Sequence, residues 1–194
     1  MFTPLFTPGV WRSTLIDLTN LQDYCYNIQS LDKGRSCSNI GGYQSNNLDL
    51  SDPHLSSLQL HINEQTKEYA KFIRMEINSF KVQNMWININ GNKDYNEVHT
   101  HPGCLFSGVY YISTPENCGD IEFFQSNSHL QNSHWNGIKF SSYILENSSS
   151  WFLPSTKNEV YIFPSFYEHR VQPNASLSDR DWETKKNYFL IYKN

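Results

Sequence analysis

Two periodicities divide the chain near residue 80. Over residues 17–31, Leu18, Leu21, Cys25 and Ile28 recur at helical spacing, which predicts a short helix with Asp17 or Thr19 as its N-cap. Residues 32–51 collect Gly34, Gly41, Gly42, serines and asparagines, and predict turns and an irregular loop. Ser51-Asp52-Pro53 then offers a capping side chain and a proline suited to a first helical turn. From there Leu55, Leu58, Ile62, Tyr69, Phe72, Ile73 and Ile77 form one apolar stripe to about residue 78, the mark of a long helix lying on a sheet. His54 and His61 lie on or beside that helix and read as surface residues.

From Phe80 onward, short β-rich runs alternate with Gly, Asn and Pro turns. The predicted strands are 81–90, 96–101, 104–113, 119–125, 139–145, 159–163, 168–172 and 185–193. Their number and spacing predict a mainly β fold, a sandwich or jelly roll, with the N-terminal helices covering the outer face of one sheet. The stretch 126–150, rich in Ser and Asn, is expected to form a long loop or lid. No repeat, linker or charge run divides the sequence. The expectation is one domain over 1–194, with a helical N-terminal segment (1–79) and a jelly-roll core (80–194).

Composition narrows the class of function. The chain is polar, with a mean hydropathy of -0.59, yet only 18% of its residues are charged. Asn, Ser and Gln therefore carry the polarity. Aromatic residues reach 15%, from 12 Tyr, 12 Phe and 5 Trp, which supplies a core that a disordered chain lacks. A net charge of -4 without any Lys/Arg block argues against nucleic acid or an anionic membrane as the main partner. No run approaches the roughly 18 to 20 apolar residues of a membrane span. The opening MFTPLFTPGVW lacks the features of a signal peptide. Cys25, Cys37, Cys104 and Cys118 contain no CxxC pair, and read as reduced thiols of a cytoplasmic protein.

Candidate chemistry concentrates in Asn96-Glu97-Val98-His99-Thr100-His101-Pro102-Gly103. In an extended strand, alternate side chains share a face, so His99 and His101 can grip one metal ion from a single strand. His169, in Phe163-Pro164-Ser165-Phe166-Tyr167-Glu168-His169, follows a strand, a proline turn and the start of another strand, and is the candidate third ligand. Three ligands on one side of a metal, with other positions open, suit oxygen activation by non-heme iron. A closed zinc site would need a fourth protein ligand, and the sequence offers none in register. An HxH pair alone is a weak signal, and the distal histidine strengthens it. His129 and His134 fall in the expected loop and read as solvated.

An ordered series of motifs resembles a known family. It runs Ser38-Asn39-Ile40-Gly41-Gly42-Tyr43-Gln44-Ser45, Trp86-Ile87-Asn88-Ile89-Asn90, and Asn96-x-x-His99-x-His101-Pro102-Gly103. It continues with Ser107-Gly108-Val109-Tyr110-Tyr111, Gly119-Asp120-Ile121-x-Phe123, Phe163-Pro164-Ser165 and His169-x-Val171-x-Pro173-Asn174. Together these span almost the whole chain and resemble the 2-oxoglutarate/Fe(II) oxygenases of bacteria and their phages. The resemblance implies a double-stranded β-helix holding Fe(II) and 2-oxoglutarate. Its implied reaction uses O2 and oxidises a substrate C–H bond as 2-oxoglutarate is decarboxylated to succinate. It implies a cytoplasmic location, in a bacterial cell or in the host of a phage.

Two departures from the wider superfamily matter. That superfamily uses two histidines and one carboxylate, whereas His101 stands here in the carboxylate's place. The implied ligands are His99, His101 and His169, with Glu97 as the substitute should His101 turn away. Three neutral imidazoles leave the iron one charge more positive than the usual triad does. The second departure concerns the basic residue that holds the distal carboxylate of 2-oxoglutarate. Lys186, with Tyr188 two positions on, fits the local pattern, and Arg180 fits by its distance from His169. Lys offers a point charge where Arg offers a fork. Asn88 and Asn90 alternate with Ile87 and Ile89, so one face of that strand is lined by amides. The 1-carboxylate of the keto acid is a fitting partner for them, although Asn90-Gly91-Asn92 also suits a hairpin turn. One of Tyr110 and Tyr111 is expected in the pocket and the other in the core. Other readings are a jelly-roll module that binds metal without turnover, and a cupin-like three-histidine iron enzyme that needs no keto acid. Substrate and oligomeric state stay open, a homodimer included.

Overall fold

In the computed structural model, residues 8–16, 18, 20–77 and 79–176 are described, together with the backbone of 187–193. Among these residues the strands are β1 (Trp11–Thr14), β2 (Asn39–Ile40), β3 (Tyr43–Gln44), β4 (Asn84–Asn90), β5 (Tyr95–His99) and β6 (Phe106–Ser113). They continue with β7 (Ile121–Phe124), β8 (Ser150–Leu153), β9 (Glu159–Pro164), β10 (His169–Val171) and β11 (Asn187–Lys193). The helices are α1 (Leu21–Leu31), α2 (Ser56–Phe72) and α3 (Ser128–His134). Two antiparallel sheets result, a larger one ordered β1-β9-β6-β11-β4-β3 and a smaller one ordered β2-β5-β10-β7-β8. Successive strands switch sheets, as β4 to β5 and β9 to β10 do. This is the double-stranded β-helix.

Period-two alternation sorts the larger sheet's side chains into two cores. Met85, Ile87 and Ile89 of β4, Phe106, Tyr110 and Ile112 of β6, and Val160 and Ile162 of β9 pack with Leu58, Ile62 and Tyr69 of α2. The intervening Trp86, Val109, Tyr111, Tyr161 and Phe163 fill the space between the sheets with Ile121 and Val171. Burial of one such side chain contributes about 1.5 to 3 kcal/mol. The helices thus fix the outer face of the larger sheet, while its inner face is left to line a site.

Several boundaries differ from the sequence reading. The long helix begins with a 3-10 turn at Pro53–Leu55, where the Asp52 side chain accepts from the His54 N–H. It stops at Phe72, short of Ile73 and Ile77, because Arg74 takes a left-handed φ of 60° and the Met75 N–H returns to the Ala70 carbonyl. The residue preceding α1 is Asn20, and the expected caps Asp17 and Thr19 lie outside the described residues. The N-terminal segment supplies strands as well as helices: β1 pairs with β9, and β2 and β3 pair with β5 and β4. The predicted strand at 139–145 is absent. The ladder partner of β7 is instead β8, and residues 128–134 of the expected loop form α3.

Candidate metal centre

β5 and β10 are neighbours in the smaller sheet, with His169 opposite His99 and Val171 opposite Asn96. The interval is two residues on β10 and three on β5, so a bulge at Glu97-Val98 lets both Asn96 and His99 lie on the ladder. β5 ends at His99, so His101 does not share a strand with it as the alternation argument required. The turn Pro102-Gly103 carries it instead, and its N–H bonds to the Ser165 carbonyl at 2.9 Å. Ser165 in turn donates its N–H to Leu105 and shares a 2.7 Å hydroxyl contact with Ser107. The loop carrying His101 is thereby tied to the segment leading to His169.

The three imidazoles converge. One ligand atom from each of His99, His101 and His169 lies within 4.8 Å of the others, and the ring centroids are 4.4 to 5.0 Å apart. His99 Nδ1 lies 2.7 Å from the Glu97 carbonyl and His169 Nδ1 lies 2.9 Å from the Tyr167 carbonyl. A carbonyl only accepts, so in the neutral rings Nδ1 carries the proton and Nε2 the lone pair that a metal needs. Glu97 contributes to the site through this carbonyl. Its side chain is exposed and the cluster does not include it. Burial and then the nearby His99 push the His169 pKa down to about 3, against the bond to the Tyr167 carbonyl. Phe163 and Phe123 flank its ring at 4.7 and 6.0 Å, and Trp86 meets His101 edge-on at 5.7 Å.

Deeper along the inner row of β4 lie Asn88 and Asn90, both fully buried. Asn90 donates to Asn96 at 3.0 Å, and Asn96 donates to Asn88 at 3.4 Å and to Ser38 at 3.2 Å. Asn174 holds the Asn90 carbonyl, and Asn90 ends a strand that crosses to the other sheet, so it is not part of a simple hairpin. Among the described residues, Asn88 Nδ2 and Asn90 Oδ1 find no partner. Tyr111 lies in the core between the sheets and Tyr110 in the core on the helix side. Burial raises the Tyr111 pKa well above the usual phenol range, so its hydroxyl stays protonated. The register sets Asn187 and Phe189 opposite Asn90 and Asn88, and Tyr188 opposite Ile89. Lys186, Arg180 and the Tyr188 side chain lie outside the described residues.

His54, His129 and His134 are exposed, and half-buried His61 bonds to Ser13 at 3.0 Å. Sequence reasoning gave no role to Trp86, Ser165 or Arg35. Trp86 opens the Trp86-Ile87-Asn88-Ile89-Asn90 run, and its alternation with Ile87 is the signal that puts it in the row of Asn88.

The family model described as "Putative 2OG-Fe(II) oxygenase" matches residues 84–181, just over half of the chain and the whole stretch carrying the three histidines. The chain belongs to this 2OG-Fe(II) oxygenase family. It is accordingly an oxidoreductase that uses Fe(II), 2-oxoglutarate and O2. Three neutral nitrogen donors suit a borderline divalent metal, and the unpartnered Asn88 amide suits a carboxylate beside it.

Solved structures of 2OG oxygenases share the fold. A Pseudomonas putida prolyl-4-hydroxylase aligns with a TM-score of 0.63 at 10% identity, covering 96% of this chain and 92% of that one. A 2OG-Fe(II) oxygenase family oxidoreductase from Burkholderia pseudomallei aligns at 0.58 and 11%, covering 95% and 84%. HygX from Streptomyces hygroscopicus, solved with nickel, 2-oxoglutarate and hygromycin B bound, aligns at 0.57 and 10%, covering 95% and 82%. At such identities the likeness is one of fold. Comparison with curated proteins finds no sequence match. Among the described residues no helix is long and apolar enough to cross a membrane.

Proposed function

We propose that the protein is a hydroxylase whose iron is held by His99, His101 and His169, the first and last through Nε2. The convergence of three ligand atoms within 4.8 Å carries this assignment. When bound, Fe(II) activates O2 and couples decarboxylation of 2-oxoglutarate to succinate with hydroxylation of a substrate C–H bond. The chain's own groups set the conditions. The carbonyls of Glu97 and Tyr167 fix the tautomers of His99 and His169, and the aromatic wall of Trp86, Phe123 and Phe163 excludes water from the inner side. With no carboxylate among the ligands, the full 2+ charge faces the dianionic keto acid. Asn88 donates its amide N–H to a carboxylate of 2-oxoglutarate, with Asn90 keeping the amide chain in order and Tyr111 adding a neutral hydroxyl. The distal carboxylate falls to Lys186 or to Arg180. The four unpaired thiols support a cytoplasmic location.

Mixing metal-free protein with Fe(II) and 2-oxoglutarate without oxygen tests the reading. The expected result is the weak visible charge-transfer band of a chelated keto acid. Absence of the band, with no succinate formed in air, overturns it and leaves a metal-binding module. Lys186→Ala and Arg180→Ala locate the distal contact, since only one should raise the 2-oxoglutarate requirement strongly. A cupin-like enzyme without keto acid would show no such rise in either variant.

A further inference from the structure

The tight turn Gly41-Gly42 joins β2 and β3, strands that belong to different sheets, so the segment 32–48 closes one side of the barrel. Arg35 sits on this segment, with its N–H bonded to the Gln44 carbonyl at 2.8 Å. Its guanidinium lies over the Trp86 ring at 5.6 Å, and the same ring meets His101 at 5.7 Å. Trp86 is therefore the single spacer between a cation and a ligand of the metal centre. It lies on β4 two residues before Asn88, in the same row of side chains.

The charge of Arg35 is poorly compensated. Its Nη2 donates to the neutral Asn47 Oδ1 at 3.2 Å, while its Nε is sealed from solvent and finds no acceptor among the described residues. No carboxylate pairs with it among the described residues, whereas Arg12 and Arg170 each hold a glutamate. A half-buried guanidinium without a counter-ion favours an incoming oxyanion, because a carboxylate or phosphate can accept two parallel N–H bonds and neutralise it. The contact with the Trp86 face restricts the guanidinium, which lowers the entropy lost on binding.

We infer that Arg35 anchors an anionic group of the substrate, a carboxylate or a phosphate, one indole's width from the metal centre. The inference rests on the oxygenase reading for its substrate, but the anion site itself does not. The substrate would then carry its negative charge a short molecular distance from the carbon that is oxidised.

The test uses the full chain loaded with Mn(II) and 2-oxoglutarate, and titrates inorganic phosphate and acetate in separate arms. Binding is followed by paramagnetic broadening of the phosphorus or methyl signal, in wild type, Arg35→Gln and Arg35→Lys. The expected result is saturable broadening that weakens about tenfold or more in Arg35→Gln and by less in Arg35→Lys. The arm that saturates at lower concentration says whether phosphate or carboxylate is preferred. Equal broadening in Arg35→Gln, as from phosphate bound directly to the metal, overturns the inference, as does broadening that never saturates. The keto-acid band formed with Fe(II) is recorded for the same proteins. Its absence from the wild type speaks against the oxygenase reading alone, whereas its loss only in Arg35→Gln overturns the inference by assigning Arg35 to 2-oxoglutarate.

Discussion

His99 and His169 stand directly opposite each other on the β5–β10 ladder, with their ring centroids 4.4 Å apart. A pair of residues seventy positions apart in the chain is thus held by backbone hydrogen bonds rather than by loops. The same device fixes each ring, through a carbonyl two residues upstream. Preorganisation of this kind limits how far the ligands can relax when one of them is lost.

Iron retention should follow from this directly. His169→Ala should abolish retention of Fe(II) after gel filtration, and His134→Ala should leave the metal content unchanged. Equal content in the two variants, read by elemental analysis, would refute the ligand assignment.

The buried His169 also makes a pH prediction for the metal-free protein. Its pKa in the fold is about 3, against 6.5 for an unperturbed imidazole. Below about pH 6.5 the unfolded chain takes up a proton that the folded one refuses, so stability falls as pH drops from about 6.5 towards 3. Above that window His169 contributes no pH dependence. Thermal unfolding midpoints measured across the range should fall more steeply for wild type than for His169→Gln. Parallel curves would contradict the assignment.

Asn88 offers an amide N–H that finds no partner among the described residues. Asn88→Asp replaces that donor with a carboxylate facing an anion. The 2-oxoglutarate KM should rise about tenfold or more while iron content stays as in wild type. A KM within twofold of wild type, with roughly normal turnover, would remove Asn88 from the keto-acid site.

Gly42 tests the closure between the sheets. A Cβ there would fall 2.4 Å from Asn90 Oδ1 and 2.7 Å from the Ile89 carbonyl, both on β4. Gly42→Ala should cost about 1 to 3 kcal/mol in denaturant unfolding by overpacking. It should also raise the 2-oxoglutarate requirement by displacing Asn90. Wild-type stability would show that the turn has room the structure denies.

On the smaller sheet, Glu122 is nearly buried and accepts from Ser150 at 2.6 Å and from Arg170 at 2.8 Å. Burial pushes its pKa up, but these bonds and the charge of Arg170 together outweigh it and hold the pKa below the usual range. Arg170→Met should destabilise the fold by about 1 to 3 kcal/mol. The loss should shrink as pH falls through the carboxylate range, where Glu122 becomes protonated in the variant before it does in the wild type. A loss independent of pH would mean that packing on Phe124 is what Arg170 supplies.

The sequence by itself determined the class of fold and the identity of the candidate ligands. Alternation along β4, β6 and β9 is a local property, and so is the helical stripe from Leu55 to Tyr69, because each follows from the geometry of a single element. Tyr111 and Tyr110 could be assigned to opposite faces but not to particular ones, since period two is blind to which face is inside. Long-range pairing decided the rest. The bulge at Glu97-Val98, the Ser165 carbonyl that holds His101, and the placement of Arg35 over Trp86 all join segments far apart in the chain. No periodicity encodes such contacts. The strand expected at 139–145 failed for the same reason: a β-rich run becomes a strand only where a neighbour offers free ladder positions, and β8 had taken those of β7.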